Sequence, residues 1–183
     1  MRIIAGQWRG RVLKAPVGIT TRPSSDRARE ALFSMLASRV GSFEGLSVAD
    51  LFAGTGALGL EALSRGAARC TFVEQDKPAL DVLRANIAML GGAPAVMADV
   101  RAQAVGTLGP SARAHDLLLL DPPYEMQAGV PTLERLARLG WIAPGGWASV
   151  ESARGEMVTP TGFAIDAERQ YGKAKITLLR YEG

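Results

Sequence analysis

The spacing of apolar residues along this chain changes near residue 46. From there on, short apolar runs alternate with segments in which apolar residues recur every three or four positions, as strands and amphipathic helices do. Strands are predicted over 47–52, 70–75, 95–98, 116–121 and 147–152, and helices around 58–65, 78–90 and 130–139. Strands that alternate with helices indicate an α/β fold with a mostly parallel sheet covered on both faces.

The two ends of the chain depart from this alternation. Residues 1–20 hold short apolar pieces separated by glycine and proline, which predicts a hairpin or an extended arm. A helix capped by Ser24 or Ser25 is expected next, because apolar residues then recur at helical spacing. Near the C-terminus, two apolar stretches meet at Tyr171 and predict an antiparallel hairpin that closes the sheet edge.

Composition limits the kinds of protein that this chain can be. Its 183 residues, 48% of them hydrophobic, suffice for the core of a single domain. We expect residues 1–40 to form an N-terminal arm and helix within that domain, and residues 41–183 to form its main body. One cysteine and one histidine exclude an internal disulfide and leave almost no ligands for a Cys/His zinc site, so no metal is expected.

The N-terminal and apolar segments also bear on where the protein works. No apolar run approaches the roughly 18 residues of a membrane span. The basic N-terminus lacks the apolar core of a secretory signal. We therefore expect a cytoplasmic monomer that makes no contact with membranes.

The formal net charge of +3 is unevenly distributed. Residues 1–40 carry eight basic and two acidic residues, a net of +6, whereas the rest of the chain carries 13 basic and 16 acidic residues, a net of −3. A basic segment on an acidic body predicts binding to a nucleic acid, although a solvated arm that only aids solubility is the alternative. The predicted nucleic-acid-binding residues are Arg2, Arg9, Arg11, Arg22, Arg27 and Arg29.

A glycine-rich loop lies between the first predicted strand of the main body and the helix after it. Gly54, Gly56 and Gly59 form G-x-G-x-x-G, in which glycine lets the backbone turn sharply and approach a ligand at a helix N-terminus. Glu74 ends the next predicted strand, where an acid can accept hydrogen bonds from both ribose hydroxyls. These features fit a dinucleotide and S-adenosylmethionine equally well.

Two further acids favour S-adenosylmethionine. Asp50, just before the glycine loop, would repel a pyrophosphate but suits the cationic amino group of a methionine moiety. Asp99 follows the third predicted strand, where it could accept a hydrogen bond from an adenine amino group. A helix-capping aspartate is the alternative for Asp99.

The segment Asp121-Pro122-Pro123-Tyr124 follows the most hydrophobic predicted strand. Open parallel sheets bind their ligands at the carboxyl ends of such strands, and two successive prolines make this loop rigid. Asp121 and the Pro122 carbonyl can each accept one hydrogen of an aromatic amino group, which leaves the nitrogen lone pair directed at an electrophilic methyl group. Tyr124 can stack on the base.

Together these motifs resemble those of known enzymes. D-x-F-A-G-T-G over 50–56 and D-P-P-Y over 121–124 resemble the class I S-adenosylmethionine-dependent methyltransferases that modify exocyclic base nitrogens. R-I-I-A-G-x-x-R-G-R over 2–11, followed by T-R-P-S-S-D-R-A-R-E-A-L-F over 21–33, resembles the bacterial RsmD family, which methylates a guanine N2 in 16S ribosomal RNA. The resemblance covers essentially the whole chain.

The resemblance implies a Rossmann-like, seven-stranded sheet with a reversed last strand, S-adenosylmethionine as cofactor, and 16S rRNA or the small ribosomal subunit as partner. It implies cofactor contacts at Asp50, Gly54, Gly56, Glu74 and Asp99, and target-amine contacts at Asp121, Pro122 and Tyr124. RNA phosphates would then be contacted by Arg2, Arg9, Arg11, Arg22, Arg27 and Arg29.

Three other functions are weighed against this one. A DNA adenine-N6 methyltransferase shares the chemistry but usually needs a target-recognition insertion, for which the chain has no spare segment. A nicotinamide-dependent oxidoreductase accounts for the glycine loop but leaves D-P-P-Y and the basic arm without a role. A non-catalytic RNA-binding ribosome assembly factor accounts for the arm but not for the cofactor motifs.

Overall fold

The computed structural model describes residues 1–17 and 23–183, in which helices and strands alternate along most of the chain. The helices are α1 (Pro23–Val40), α2 (Ala57–Ser64), α3 (Lys77–Met89), α4 (Ala93–Val96) and α5 (Gly129–Arg138). The strands are β1 (Ser47–Leu51), β2 (Arg69–Glu74), β3 (Ala98–Ala102), β4 (His115–Leu120), β5 (Ile142–Ala153), β6 (Phe163–Tyr171) and β7 (Ala174–Tyr181). None of the helices in these described ranges is long and apolar enough to cross a membrane.

All seven strands belong to one sheet, in the order β3-β2-β1-β4-β5-β7-β6. Strands β1 to β5 pair in parallel, and β7 lies antiparallel between β5 and β6. The predicted mostly parallel sheet with an antiparallel C-terminal hairpin is therefore confirmed. The strand order reverses between β1 and β4, and open sheets of this kind bind ligands at the carboxyl ends of the strands beside such a reversal.

Successive residues of the central strands point to opposite faces of the sheet and are buried in two separate cores. Val48, Phe72 and Leu117 lie in the core on one face, which α1, α2, α3 and the N-terminal arm cover. Ala49, Val73 and Leu118 lie in the core on the other face, which α5 covers through Leu133 and Leu136. Burial on both faces explains why β1 and β4 read as almost continuous apolar runs in the sequence.

The third strand differs from its prediction. Residues 95–98 were predicted to be extended, but Ala93–Val96 is a short helix, and the strand runs from Ala98 to Ala102. Pro94 at the start of the helix and Met97 in the left-handed conformation, with φ of 56°, produce the turn that delays the strand. The short apolar run 95–98 does not by itself distinguish a strand from a helical turn.

The N-terminal arm forms a small hairpin that packs on α2 and α3. Arg2 and Val12 form an antiparallel bridge, and the Ile3 and Leu13 side chains are buried in the first core. The backbone of the arm then bonds to helix side chains, to Glu61 and Ser64 on α2 and to Asn86 on α3. Helix α1 begins at Pro23, ahead of the predicted cap at Ser24 or Ser25, because proline fits the first turn of a helix.

Candidate active site

A crevice opens at the carboxyl ends of β1, β2 and β4, beside the reversal of strand order, and we call it the carboxyl-edge crevice. Its cavity volume is about 220 Å³. Parallel strands bring the ends of their chain segments to one edge, so residues far apart in sequence meet there. Its lining includes Phe52, Glu74, Gln103, Asp121, Pro123 and Met126.

The three glycines of the loop between β1 and α2 have different surroundings. A Cβ atom on Gly54 would meet no other atom within 4 Å, so the backbone there faces open space. On Gly59, a Cβ would lie 2.3 Å from Cε1 of Phe72 and 2.6 Å from Sγ of Cys70. Gly59 therefore lets α2 pack closely against β2, whereas Gly54 leaves room for a ligand to approach the backbone. Gly56 has a φ of 83°, which favours glycine at the start of α2.

Asp50 lies under this loop rather than beside open solvent. Its side chain is only 1% exposed, and Oδ2 accepts a hydrogen bond of 2.8 Å from the Gly59 amide in the first turn of α2. Burial raises the pKa of Asp50 well above its usual range, and the Asp121 and Glu74 carboxylates add to this, while the Gly59 hydrogen bond opposes it. In the structure, Asp50 fixes the glycine loop to β1, and its contact with a cofactor stays a prediction.

Glu74 joins the glycine loop to the turn after β2. One carboxylate oxygen accepts the Gly54 amide at 2.8 Å, and the other accepts the Gln75 and Asp76 amides, each at 2.8 Å. The carboxylate is thereby held at the rim of the crevice. Each oxygen can accept more than one hydrogen bond, so these contacts leave capacity for hydroxyl donors.

Asp99 is not brought to the crevice. It is the second residue of β3, paired in register with Thr71, and thus lies toward the amino edge of the sheet. Its side chain bonds Arg101 at 3.2 Å. The placement of Asp99 after the third strand was wrong, because that strand starts three residues later than predicted. The residue that does follow β3 into the crevice is Gln103, whose Nε2 donates to Thr107 at 3.0 Å.

The D-P-P-Y loop leaves β4 beside the end of β5. Leu120 pairs with Val150, so Asp121 and Glu151 directly follow paired positions on neighbouring parallel strands. The Tyr124 hydroxyl donates to a Glu151 carboxylate oxygen at 2.7 Å, and the tyrosine remains 39% exposed. Pro122 is buried, and its carbonyl accepts no hydrogen bond from the described part of the chain. The loop therefore presents a carboxyl, a carbonyl and an aromatic ring together.

Asp121 titrates abnormally at this position. Its carboxyl is open to the crevice, but the surrounding protein removes much of its hydration, and the nearby Glu151 carboxylate disfavours a second negative charge. Together these effects raise the pKa of Asp121 to about 7. A carboxyl with such a pKa can accept a proton near neutral pH, which an ordinary aspartate does poorly.

The predicted nucleic-acid-binding arginines fall into three groups. Arg2, Arg9, Arg11 and Arg27 are exposed. Arg22 lies outside the described residues. Arg29 is only 6% exposed, and its guanidinium donates to the Arg2 carbonyl and to Asp26, so it joins the arm to α1 and is not accessible to phosphate as predicted.

Two residues of the site were missed from the sequence: Gln103, which lines the crevice, and Glu151, which accepts the hydrogen bond of Tyr124. Glu151 stands inside the predicted strand 147–152, and a charge near the end of an otherwise apolar strand was the available signal. Gln103 could have been found only with the correct bounds of β3. Within the described ranges, no group of three or more His, Cys, Asp or Glu side chains is arranged to hold a metal ion.

Comparison with known proteins adds an independent finding. A family model described as "Conserved hypothetical protein 95" matches residues 1–180. The chain is 36% identical to ribosomal RNA small subunit methyltransferase D of Escherichia coli (strain K12), over 100% of this chain and 90% of that protein. It is 33% identical to the protein of the same name from Haemophilus influenzae, over 94% of this chain and 89% of that one.

Solved structures show the same likeness. The structure of yhhF from Escherichia coli matches with a TM-score of 0.85 and 35% identity, over 100% of this chain and 98% of that one. A hypothetical protein from Thermus thermophilus, TTHA0928, matches with a TM-score of 0.79 and 32% identity, over 100% and 99%. Magnesium protoporphyrin IX methyltransferase from Synechocystis, solved with bound SAM, shares the fold at 15% identity and a TM-score of 0.66, over 90% of this chain and 87% of that one.

Proposed function

Since the chain belongs to the RsmD family, we propose that it transfers a methyl group from S-adenosylmethionine to the exocyclic N2 of a guanine in 16S ribosomal RNA. The observation that carries the proposal is that Glu74, which accepts the Gly54 amide of the glycine loop, and Asp121 of the D-P-P-Y loop line one crevice. The related proteins from Escherichia coli and Haemophilus influenzae are named as small-subunit ribosomal RNA methyltransferases, which supports an RNA substrate. Such a substrate implies that the protein works in the cytoplasm.

The residues in and beside the crevice fit S-adenosylmethionine in four respects. Open space above Gly54 would let the cofactor lie against the backbone at the start of α2. Glu74, held by three amides, would accept hydrogen bonds from the ribose hydroxyls. Gln103, rather than Asp99, lies where an adenine amino group would find a side-chain carbonyl. The negative charge of Glu74 and Asp121 also suits a cationic ligand.

The D-P-P-Y loop would hold the target amine. The Asp121 carboxylate and the Pro122 carbonyl can each accept one amino hydrogen, and the exposed Tyr124 ring can stack on the base. Glu151 fixes the Tyr124 hydroxyl, which restricts where the ring can lie. A base reaches such a loop only when it is unstacked, at a cost of a few kcal/mol.

The cofactor supplies an electrophilic methyl group on a sulfonium when it is bound. The protein's part is to hold the amine nitrogen in line with that methyl group, and positioning of this kind can lower a barrier by about 7–11 kcal/mol. The raised pKa of Asp121, about 7, lets this carboxylate also take the proton that the amine loses.

A methylation assay with three substrates tests the proposal. The protein is incubated with labelled S-adenosylmethionine and, in turn, with bare 16S rRNA, assembled small subunits and duplex DNA. Label on guanine N2 supports the proposal. Label only on DNA adenine indicates a DNA methyltransferase, and no label on any substrate indicates an assembly factor; either result overturns it. Asp121→Ala should still bind the cofactor but lose turnover.

A further inference from the structure

A second cavity lies at the opposite edge of the sheet, at the amino ends of β2, β3 and β4, and we call it the amino-edge cavity. Its volume is about 350 Å³. None of its lining residues lines the carboxyl-edge crevice. Strand β2 spans six residues, so at about 3.3 Å per residue the two sites are about 17 Å apart along the strand.

Three arginines line the amino-edge cavity. Arg101 pairs with Asp99 at 3.2 Å, and its guanidinium lies 5.1 Å from the centroid of the Trp141 ring. The guanidinium groups of Arg69 and Arg113 make no ion pair with the described residues, and Arg113 is exposed. Two of the three cationic side chains are therefore available to an anion.

The acids around the cavity do not cancel this charge. Asp99 is already paired with Arg101, and Asp116 accepts a hydrogen bond of 2.9 Å from the Ser47 amide. The lining thus holds three guanidinium groups and one carboxylate, that of Asp99, which is paired with Arg101. An arginine without a carboxylate partner is suited to phosphate, because its guanidinium can donate two parallel hydrogen bonds to it.

His115 reports the electrostatic potential at the cavity. It is 4% exposed, its Nδ1 lies 3.0 Å from the Ser47 hydroxyl, and its ring centroid lies 5.5 Å from that of Trp141. Burial lowers the pKa of His115, the positive charges of Arg101, Arg113 and Arg69 lower it too, and Asp116 opposes them; the result is a pKa of about 4. The imidazole is therefore neutral at pH 7, and its surroundings are electropositive.

We propose that the amino-edge cavity binds a phosphodiester of the RNA substrate through Arg69 and Arg113, remote from the base that is methylated. This inference rests on the proposed function. Strand β3 forms the sheet edge between the two sites, so RNA that fills both would pass around that edge. Such a contact would favour a long, folded RNA over a short strand around the target guanine.

The chain's one histidine makes the proposal directly measurable. NMR of the His115 imidazole gives its pKa in the free protein and with two probes, a single-stranded uridine decamer and inorganic phosphate. Bound phosphodiester adds negative charge, so the decamer should raise the His115 pKa and shift its resonances at concentrations where inorganic phosphate has little effect. The double variant R69Q/R113Q should lose this response, and R84Q, which removes an exposed arginine from α3, should keep it.

A second measurement relates the cavity to substrate binding. The association constant for 16S rRNA is measured at several salt concentrations, and its logarithm is plotted against the logarithm of the salt concentration. The slope of this plot should be smaller in magnitude by about 1.4 for the R69Q/R113Q variant, since each phosphate contact contributes about 0.7 for a single strand. Its S-adenosylmethionine affinity should match that of the wild type. R84Q should retain the wild-type slope.

The outcomes separate the cavity from the methyltransferase activity. A His115 resonance that does not respond to the decamer, or that responds equally in R69Q/R113Q, overturns the cavity assignment even if the wild type methylates RNA. A response to inorganic phosphate alone also overturns it, because the cavity then takes a small anion. A wild type that methylates no RNA contradicts the proposed function itself.

Discussion

Asp121 and Glu151 place two carboxyl groups at the ends of neighbouring strands, and Tyr124 bonds to one of them. The charge of Glu151 and the hydrogen bond that it accepts are separable, because glutamine keeps the acceptor and loses the charge. Tyr124→Phe removes the hydroxyl that donates this hydrogen bond and leaves the negative charge of Glu151 in place. The two variants therefore distinguish an electrostatic role of Glu151 from a role in holding Tyr124.

We expect the rate of methyl transfer to rise with pH through the Asp121 pKa of about 7, because the deprotonated carboxylate is the active form. E151Q removes a negative charge, which lowers the Asp121 pKa and should move the acidic limb of the kcat profile to lower pH. Y124F should leave the limb in place and raise KM. A limb that E151Q does not move would contradict the role of Glu151.

Asp121→Asn tests the carboxylate itself. Asparagine keeps one acceptor for the amine but cannot take a proton, so we expect kcat to fall about 10²-fold or more, with the cofactor Kd unchanged. Single-turnover kinetics and calorimetric titration measure the two quantities. A variant with wild-type kcat would remove Asp121 from the reaction.

At the scale of elements, α2 connects the glycine loop to the N-terminal arm. Its first turn holds the glycine loop through Gly59 and Asp50, and its later residues hold the N-terminal arm through Glu61 and Ser64. Glu61 is fully buried, accepts the Ile4 and Ala5 amides, and pairs with Arg65 at 2.8 Å. One short helix therefore sets both the cofactor loop and the position of the arm.

The glycines of this element should respond differently to alanine. Gly54→Ala adds a methyl group in open space, so the fold should survive at a cost of about 1–2 kcal/mol for the left-handed backbone, while S-adenosylmethionine affinity falls. Gly59→Ala places the methyl group 2.3 Å from Phe72 and should lower Tm more. Thermal unfolding and calorimetric titration of the two variants check this, and the reverse order of Tm values would contradict it.

Glu61→Ala should release the arm and leave Arg65 without its partner. We expect a loss of about 3–5 kcal/mol in the free energy of unfolding, measured by urea denaturation. Glu61→Gln keeps an acceptor for the arm and should lose less. The exposed Glu44 provides the control, since Glu44→Ala should change stability by less than about 0.5 kcal/mol. Equal losses at the two positions would contradict the role of Glu61.

At the scale of the whole molecule, the uneven charge determines how the protein should respond to salt. The exposed Arg9 and Arg11 lie on a hairpin that α2 and α3 hold in place, and the exposed Arg27 lies on α1. The charge of all three is therefore fixed relative to the crevice. Replacing Arg9, Arg11 and Arg27 with glutamine should reduce the salt slope of RNA binding by about 2, because each lost phosphate contact removes about 0.7.

S-adenosylmethionine binding by the triple variant should be unchanged, since none of the three residues lines the crevice. The R84Q variant is again the matched control for surface charge. A triple variant with the wild-type salt slope would show that the arm does not contact RNA phosphates.

The main features of the fold could be predicted from periodicity alone. Strands β1, β2 and β4 are short apolar runs flanked by turns, so their place in a mostly parallel sheet followed from the sequence, whereas their order in the sheet did not. The prediction of the third strand failed because apolar and polar residues alternate little in β3, and because the strand follows a proline-containing turn. That single error displaced Asp99 from its true position and hid Gln103.

The sequence by itself determined the sheet, the glycine loop, the D-P-P-Y loop and the family, because these depend on local periodicity and on contiguous motifs. Only the tertiary structure decided which charged side chains are accessible to solvent and which lie next to one another. Arg29 is buried while Arg9 is exposed, and Glu151 lies beside Asp121. Burial and proximity arise from strand register and helix packing between distant segments, and neither is encoded in the spacing of nearby residues.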